Sequence, residues 1–421
     1  MARLRRALLA TAATVALLVA GGGLAGAAAP RPGTLDLGYG DHGLTFGPDD
    51  LTTSIAAVAT QPDGKTVAVG RLGDPSCCDV SVFRFLADGS FDPSFGGGDG
   101  TVVVDFSPSI WDVGYDIAVA RDGKIVVVGG FGEVDVARLL PDGALDPTFG
   151  IGGRITSRLG AGGGVGASGH DVAVLADGSV IVAMQAFNIP NGFAVLKLAP
   201  NGLLDRSFGA GGVAFVAVGV IGGDRHQIFP AGLVVDDRGR IVVLGGDSDT
   251  WLVRLEPSGA WDRSFGINGL AIGAIRQASD LALGSGGSLV VSGALIDHSF
   301  AVERFTADGR PDTGFGFLSV ATIAVPGSAG SPAGVVEQPD GRVVAAGADG
   351  SGGILLARFT RTGRPDPSFG TAGLTLTPLG VNYAGAQGVA LQPDGDIVVG
   401  GIQLATPSAA EQAFVARYHG H

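Results

Sequence analysis

The hexapeptide Leu145-Asp146-Pro147-Thr148-Phe149-Gly150 decides the fold, because it recurs. Counterparts place their aspartate at Asp92, Asp205, Asp262, Asp312 and Asp366. A seventh copy, Leu35-Asp36-Leu37-Gly38-Tyr39-Gly40, stands near the start with no preceding half. The aspartates step by 56, 54, 59, 57, 50 and 54 residues. The missing half is at the other end, where Phe414-Val415-Ala416-Arg417-Tyr418 is followed only by His419-Gly420-His421. Seven units, one of them split between the two ends, describe a closed ring.

Each unit carries two glycine-centred turns. The first has Asp-Gly between β-branched runs, as in Asp116 to Val128 around Gly123, with equivalents at Gly64, Gly178, Gly239, Gly287, Gly341 and Gly395. Such a dipeptide favours a hairpin, because the tight turn needs positive φ. The second turn lies between Val136 and Asp146, around Gly143. A short alternating strand then follows the Phe-Gly, as in Gly373-Leu374-Thr375-Leu376. That makes four strands per unit and no helical period after the first 29 residues. The expected fold is all-β, a seven-bladed β-propeller with four antiparallel strands per blade. Pairing of the N- and C-terminal segments closes it, with residues 388–418 supplying three strands of the last blade and the N-terminal segment the fourth. Closure removes exposed sheet edges, and a monomer is expected.

The pattern Gln-Pro-Asp-Gly-x-Ile-Val-Val-x-Gly, then Ala-Arg-Phe/Leu-x-x-x-Gly-x-x-Asp-x-Ser-Phe-Gly, resembles the delta-60 repeat family of bacterial proteins over nearly all of residues 33–418. The resemblance implies a propeller-like β fold and little about function. Unit five departs most, with Gly284-Ser285-Gly286-Gly287 at its first turn and Thr313-Gly314-Phe315 in its hexapeptide.

Residues 1–29 read as a secretory signal peptide, and residues 30–421 as one propeller domain. Arg3, Arg5 and Arg6 precede an apolar run from Ala7 to Ala20, and Ala25-Gly26-Ala27 offers a cleavage site. Glycines 21–23 make the run a poor bilayer span, so no stable membrane span is expected after leader removal. A secreted or cell-surface location follows. Removing the leader moves the net charge from −13 to −16, with 24 basic and 40 acidic residues remaining. That surface repels phosphate backbones and argues against nucleic acid as a partner. The two cysteines are adjacent, Cys77-Cys78. In an exported chain a vicinal disulfide is expected, with free thiols or an intermolecular bridge as alternatives.

A basic residue stands eight positions before each repeated aspartate, as in Arg138 and Asp146, with Lys197 the one lysine and Arg417 facing Asp36 across the closure. The spacing predicts a cross-strand pair that fixes hairpin register, worth about 0.2–1 kcal/mol if exposed. Seven aromatics, Tyr39, Phe95, Phe149, Phe208, Phe265, Phe315 and Phe369, are expected to pack between blades.

The uniform Asp-Gly turns should share one face of the disc. The other face carries connections of varied length, and variable loops on a rigid frame are where binding resides. Candidate ligand-binding residues there are Trp111, Asp116, His170, Asp171, Asp280 and His298, with Asp112, Asp224, His226, Asp297 and Tyr383 nearby. Asp116, Asp171 and Asp280 share one repeat position at the start of the innermost strand. There they could ring the channel mouth and hold a divalent cation such as calcium. No other cofactor is evident, and no nucleophile elbow, His-Glu-x-x-His or phosphate loop is present. The first expectation is therefore an exported, non-catalytic propeller that binds a protein or glycan through its loop face. The alternatives are an exported hydrolase or lyase with a channel-mouth Asp/His site, and a structural cell-surface component.

Overall fold

The computed structural model of the chain describes residues 30–47, 52–74, 77–106, 112–157, 167–186, 192–218, 229–245, 250–296, 299–326, 330–406 and 409–421. The expected leader, residues 1–29, lies outside them. Seven four-stranded antiparallel sheets form a seven-bladed propeller. Blade two shows the plan. Gly114–Val119 is innermost, followed outward by Ile125–Gly129, Val134–Leu139 and Arg154–Ser157. The first-turn glycines hold positive φ, 82° at Gly123, as an Asp-Gly hairpin turn requires. In blade five, where this turn reads Gly284-Ser285-Gly286-Gly287, one 3₁₀ turn over Ser285–Gly287 replaces it.

The seventh blade joins the two ends of the chain. Its inner three strands are Tyr383–Leu391, Ile397–Leu404 and Gln412–Tyr418, and its outermost strand is Leu44–Phe46. Leu44 pairs with Ala416 and Phe46 with Phe414. The amides of Gly33 and Asp36 donate to the carbonyls of His419 and Arg417 at 2.7 and 2.8 Å. The innermost strand starts at Tyr383, five residues before the boundary read from sequence. A bulge between Ala386 and Gly388 lets the hairpin ladder continue outward as far as Leu404.

The core is divided by seam. Among the described residues, seven apolar clusters each join two adjacent blades, and one joins blade seven to blade one through Tyr39, Val415, Ile55 and Phe83. The aromatic of each hexapeptide lies fully buried in the seam toward the next blade, Phe149 between blades two and three. The glycine after it donates its N–H to a turn carbonyl of that next blade, as from Gly150 to Asn201 at 2.9 Å. Gly143 of blade two rests against Phe95 of blade one, where an added Cβ would stand 2.9 Å from the ring.

The repeated basic–acidic pairs differ from the exposed register pins read from sequence. Arg138 and Asp146 are buried, at 6% and 1% exposure. The Arg138 Nε donates to Asp146 Oδ2 at 2.9 Å and its Nη2 to Thr148 Oγ1 at 3.1 Å. Its Nη1 crosses the seam to the Pro200 carbonyl of blade three at 2.5 Å, and the guanidinium lies 4.5 Å over Phe149. Arg84, Arg254, Arg304, Arg358 and Arg417 repeat the arrangement, reaching Pro141, Ala307, Arg361, Gly420 and Ala87. These six arginines lie 4.4–4.8 Å over the aromatic of their own blade. Four pairs are buried, and those of Lys197, Arg304 and Arg417 half-buried, because the hexapeptide folds back under the hairpin and the next blade covers it.

Burial raises the Asp146 carboxyl pKa, yet the Thr148 hydroxyl and amide, with Arg138 and Lys124, bring it down to about 2. The stability this lowered value contributes is present above the ordinary carboxylate range and lost as pH falls toward 2. Arg138→Leu leaves Asp146 and the Pro200 carbonyl buried without their partner. It should cost about 3–5 kcal/mol, read as a large loss in chemical denaturation. Lys197, in blade three, pairs with Asp205 at 3.1 Å, but its compact ammonium lacks the planar fork that reaches hydroxyl, carboxylate and cross-seam carbonyl together. Lys197→Arg should raise Tm by a few degrees, and an unchanged or lower Tm would count against the seam role given to these arginines.

Candidate functional site

Each innermost strand carries a β-bulge near its start, toward the loop face. Bulges re-aim side chains, and here the irregularity falls between Gly114 and Asp116, Gly169 and Asp171, and Arg276 and Asp280. The bulged residues Tyr115 and His170, with Ser279 and Gln387, line a central cavity of about 520 Å³. Asp116, Asp171 and Asp280 line it as well, each just after its bulge. The structure thus brings four of the six candidate residues together. Trp111 and His298 lie outside the described residues, as do Asp224, His226 and Asp297. Tyr383 borders a separate depression of about 380 Å³ with Ser279, Ser331 and Gln387. Cys77 and Cys78 begin the third strand of blade one, opposite Asp74 and Gly73. Their side chains, and with them the expected disulfide, lie outside the described residues.

Each of the three aspartates reaches across a seam. Oδ2 of Asp116 accepts the Val172 amide at 2.9 Å, that of Asp171 the Leu233 amide at 2.7 Å, and that of Asp280 the Val335 amide at 2.8 Å. At the equivalent position blade four has Gly232, and the next strand closes in, leaving a Cβ only 2.6 Å from Leu281. Aspartate therefore spans a seam that glycine lets shut.

Electrostatically the site is quiet. Burial raises the Asp171 carboxyl well above the usual range, with the neighbouring Asp116 charge and their mutual hydrogen bond adding to it. Asp116 is raised too, mainly by burial. Asp280 is pushed up to about 7 by burial, against amide hydrogen bonds from Val335 and Leu281. His170 is held down to about 4 by burial, so it is neutral at physiological pH. It stacks on Tyr115, with ring centroids 5.0 Å apart, and meets Phe229 edge-on at 5.9 Å. Its Nε2 lies 2.9 Å from Ser168 Oγ. Tyr115 and Phe229 are absent from the sequence candidates. Tyr115 was within reach, because it stands one residue before Asp116, as His170 does before Asp171. Phe229 has no repeat position to mark it.

Metal-ligating geometry occurs elsewhere. Among the described residues, two groups of at least three His, Cys, Asp or Glu bring their ligand atoms within 4.8 Å of one another, Asp36–Asp396–His419 and Asp79–Asp105–Asp112. Asp116, Asp171 and Asp280 do not make a third.

The fold and this cavity define a repeat propeller with a polar, aromatic-walled channel mouth. Residues 61–95, 120–149 and 338–369 match a family model described as "Domain of unknown function (DUF5122) beta-propeller", so these stretches are similar to a propeller repeat family. Among curated proteins no match was found. Among solved structures the chain is similar to a protein of unknown function from Dyadobacter fermentans DSM 18053, at 12% identity and TM-score 0.45, covering 90% of this chain and 98% of that one. It is also similar to the Dos1 propeller, at 10% identity and TM-score 0.49, covering 92% and 95%. A third is Sqt1 from Chaetomium thermophilum, at 10% identity and TM-score 0.44, covering 89% and 98%. No helix among the described residues is long and apolar enough to cross a membrane.

The raised carboxyls set a pH dependence. Between pH about 4 and about 7 the folded protein holds protons on Asp280 that the unfolded chain has released, so stability falls as pH rises through that window. Asp280→Asn should flatten the slope of Tm against pH there. Identical slopes for the two proteins would show that the carboxyl is not held protonated.

Proposed function

We propose that the protein is an exported, non-catalytic binding propeller of the delta-60 repeat kind, and that its channel mouth takes a neutral polyhydroxylated ligand, a glycan. One observation carries this reading. An aromatic wall of Tyr115, His170 and Phe229 stands beside carboxyls whose charge burial suppresses. Saccharide rings stack their C–H faces on aromatics, and their hydroxyls pair with groups that both donate and accept. A protonated carboxyl and a neutral imidazole each do both. A strongly charged ligand would meet no fixed counter-charge among these groups. The basic leader and the acidic balance of the rest of the chain support export.

The hydrogen bond between Asp116 and Asp171 favours a second reading, a saccharide hydrolase or lyase. In a coupled carboxyl pair one member can hold a proton while the other accepts one.

The test is calorimetric titration of the purified protein with neutral oligosaccharides and with envelope polysaccharide fractions. Tyr115→Ala should weaken binding about tenfold, a loss of about 1.4 kcal/mol of stacking. Failure of the wild type to bind any neutral saccharide, or equal binding by the variant, overturns the assignment. Release of shortened or unsaturated products by the wild type but not by Asp171→Asn would favour the enzyme.

A further inference from the structure

The seam between blades one and two carries an acidic group that neither the frame nor the channel uses. Asp79 lies near the start of the third strand of blade one (Cys77–Phe85), and Asp105 directly follows its outermost strand (Thr101–Val104). Asp112 comes two residues before the innermost strand of blade two (Gly114–Val119). All three sit at the loop-face end of their strands, and their carboxylate oxygens lie within 4.8 Å of one another. Asp112 is buried, and its Oδ2 accepts the Phe106 amide at 2.8 Å, which fixes its direction. Among the described residues neither Asp79 nor Asp105 is ion-paired. Arg154 reaches only the main-chain carbonyl of Asp105. Three carboxylates at such distances repel one another, and a proton or a cation relieves them.

A second observation points the same way. Asp135 is the second residue of the third strand of blade two and is 4% exposed; its carboxyl has a hydrogen bond with Thr156, but its Oδ1 has no hydrogen-bond partner. Strand alternation puts it on the same face as Ala137 and Leu139, which pack into the seam with blade one. Asp112 and Glu133 are the charged groups that press on it. A buried, half-satisfied carboxyl behind three clustered ones is costly unless positive charge is near.

We propose that Asp79, Asp105 and Asp112 form a calcium site that pins blade one to blade two on the loop face, with Asp135 as the buried carboxylate behind it. The donors are all hard oxygens, without the nitrogen or sulfur that zinc or copper prefers. They come from three separate strand ends rather than from a rigid cage. That flexible arrangement suits calcium, while magnesium demands near-ideal octahedral geometry and keeps its waters. Asp112 is the inner anchor, and Asp79 and Asp105 complete the site from the neighbouring blade.

The test uses the full chain stripped with a chelator and titrated with calcium chloride alone. One calcium per chain should bind, with a Kd of about 10⁻⁴–10⁻³ M, and millimolar calcium should raise Tm by several degrees. Asp105 is exposed, so Asp105→Asn should fold normally and lose at least about tenfold in affinity, together with most of the Tm response. Asp396→Asn, in the other carboxylate group, should keep the wild-type response. The proposal is overturned by a wild type that shows neither heat nor Tm shift, by an Asp105→Asn variant that responds fully, or by magnesium acting as strongly as calcium.

Discussion

The structure depends on an arginine guanidinium held within six of its seven seams. A lone charge in a dry interface would be strongly destabilising. Here it is surrounded by an aspartate, a hydroxyl, a ring face and a carbonyl of the next blade. In blade six Arg358 is fully buried, and its partners are Asp366, Ser368, Phe369 and the Gly420 carbonyl. The planar fork of arginine suits it to serve three directions at once. Buried pairs are weak stabilisers against an apolar alternative and strong penalties when half removed. Their role here is therefore to dictate which turn of the next blade docks, and at what angle, at six of the seven seams.

Closure follows from the same rule. The partner of Arg358 is the carbonyl of Gly420, and the partner of Arg417 is the carbonyl of Ala87 in blade one. Gly370 of blade six donates to the Pro32 carbonyl. Both ends of the chain thus supply the acceptors that an ordinary second turn supplies elsewhere. Split between the two termini, the last blade is held together by pairing of segments from opposite ends of the chain. The ladder between Leu44–Phe46 and Gln412–Tyr418 covers the outer side of the latter and completes the four-stranded blade.

The frame was legible in the sequence because it repeats. Turn glycines, hexapeptides and strand alternation recur seven times, and the split unit announced the ring. The depth of the Arg–Asp pairs was not legible. Spacing of eight residues places Arg138 beside Asp146 within one blade, but says nothing of Pro200 in the next, which covers both. The candidate site was half legible. Asp116, Asp171 and Asp280 stood out by sharing a repeat position. Tyr115 could have been read beside His170, whose bulged position it shares, whereas Phe229 precedes its strand and holds no repeat position. The acidic cluster at the blade one–blade two seam was not legible as a cluster for a different reason. Asp79 and Asp105 lie opposite each other on the outer two strands of blade one, and Asp112 joins them only because blade two abuts.

The contrast between regular frame and irregular rim is also the argument for where function resides. At the position after the bulge the seven blades have Ala57, Asp116, Asp171, Gly232, Asp280, Gly334 and Gly388. Packing alone is met by glycine, which lets adjacent strands approach until a Cβ would sit about 3 Å from backbone, as at Gly334 and Gly388. Aspartate at the same place holds the seam apart and sets a desolvated carboxyl toward the channel, where burial works against its charge. Two of the three aspartates are in consecutive blades, and the ring stack of Tyr115, His170 and Phe229 spans blades two to four. The acidic cluster lies on the adjoining seam. One side of a seven-fold frame thus departs from the plan that packing prefers, and it does so with desolvated carboxyls, an imidazole and aromatic rings.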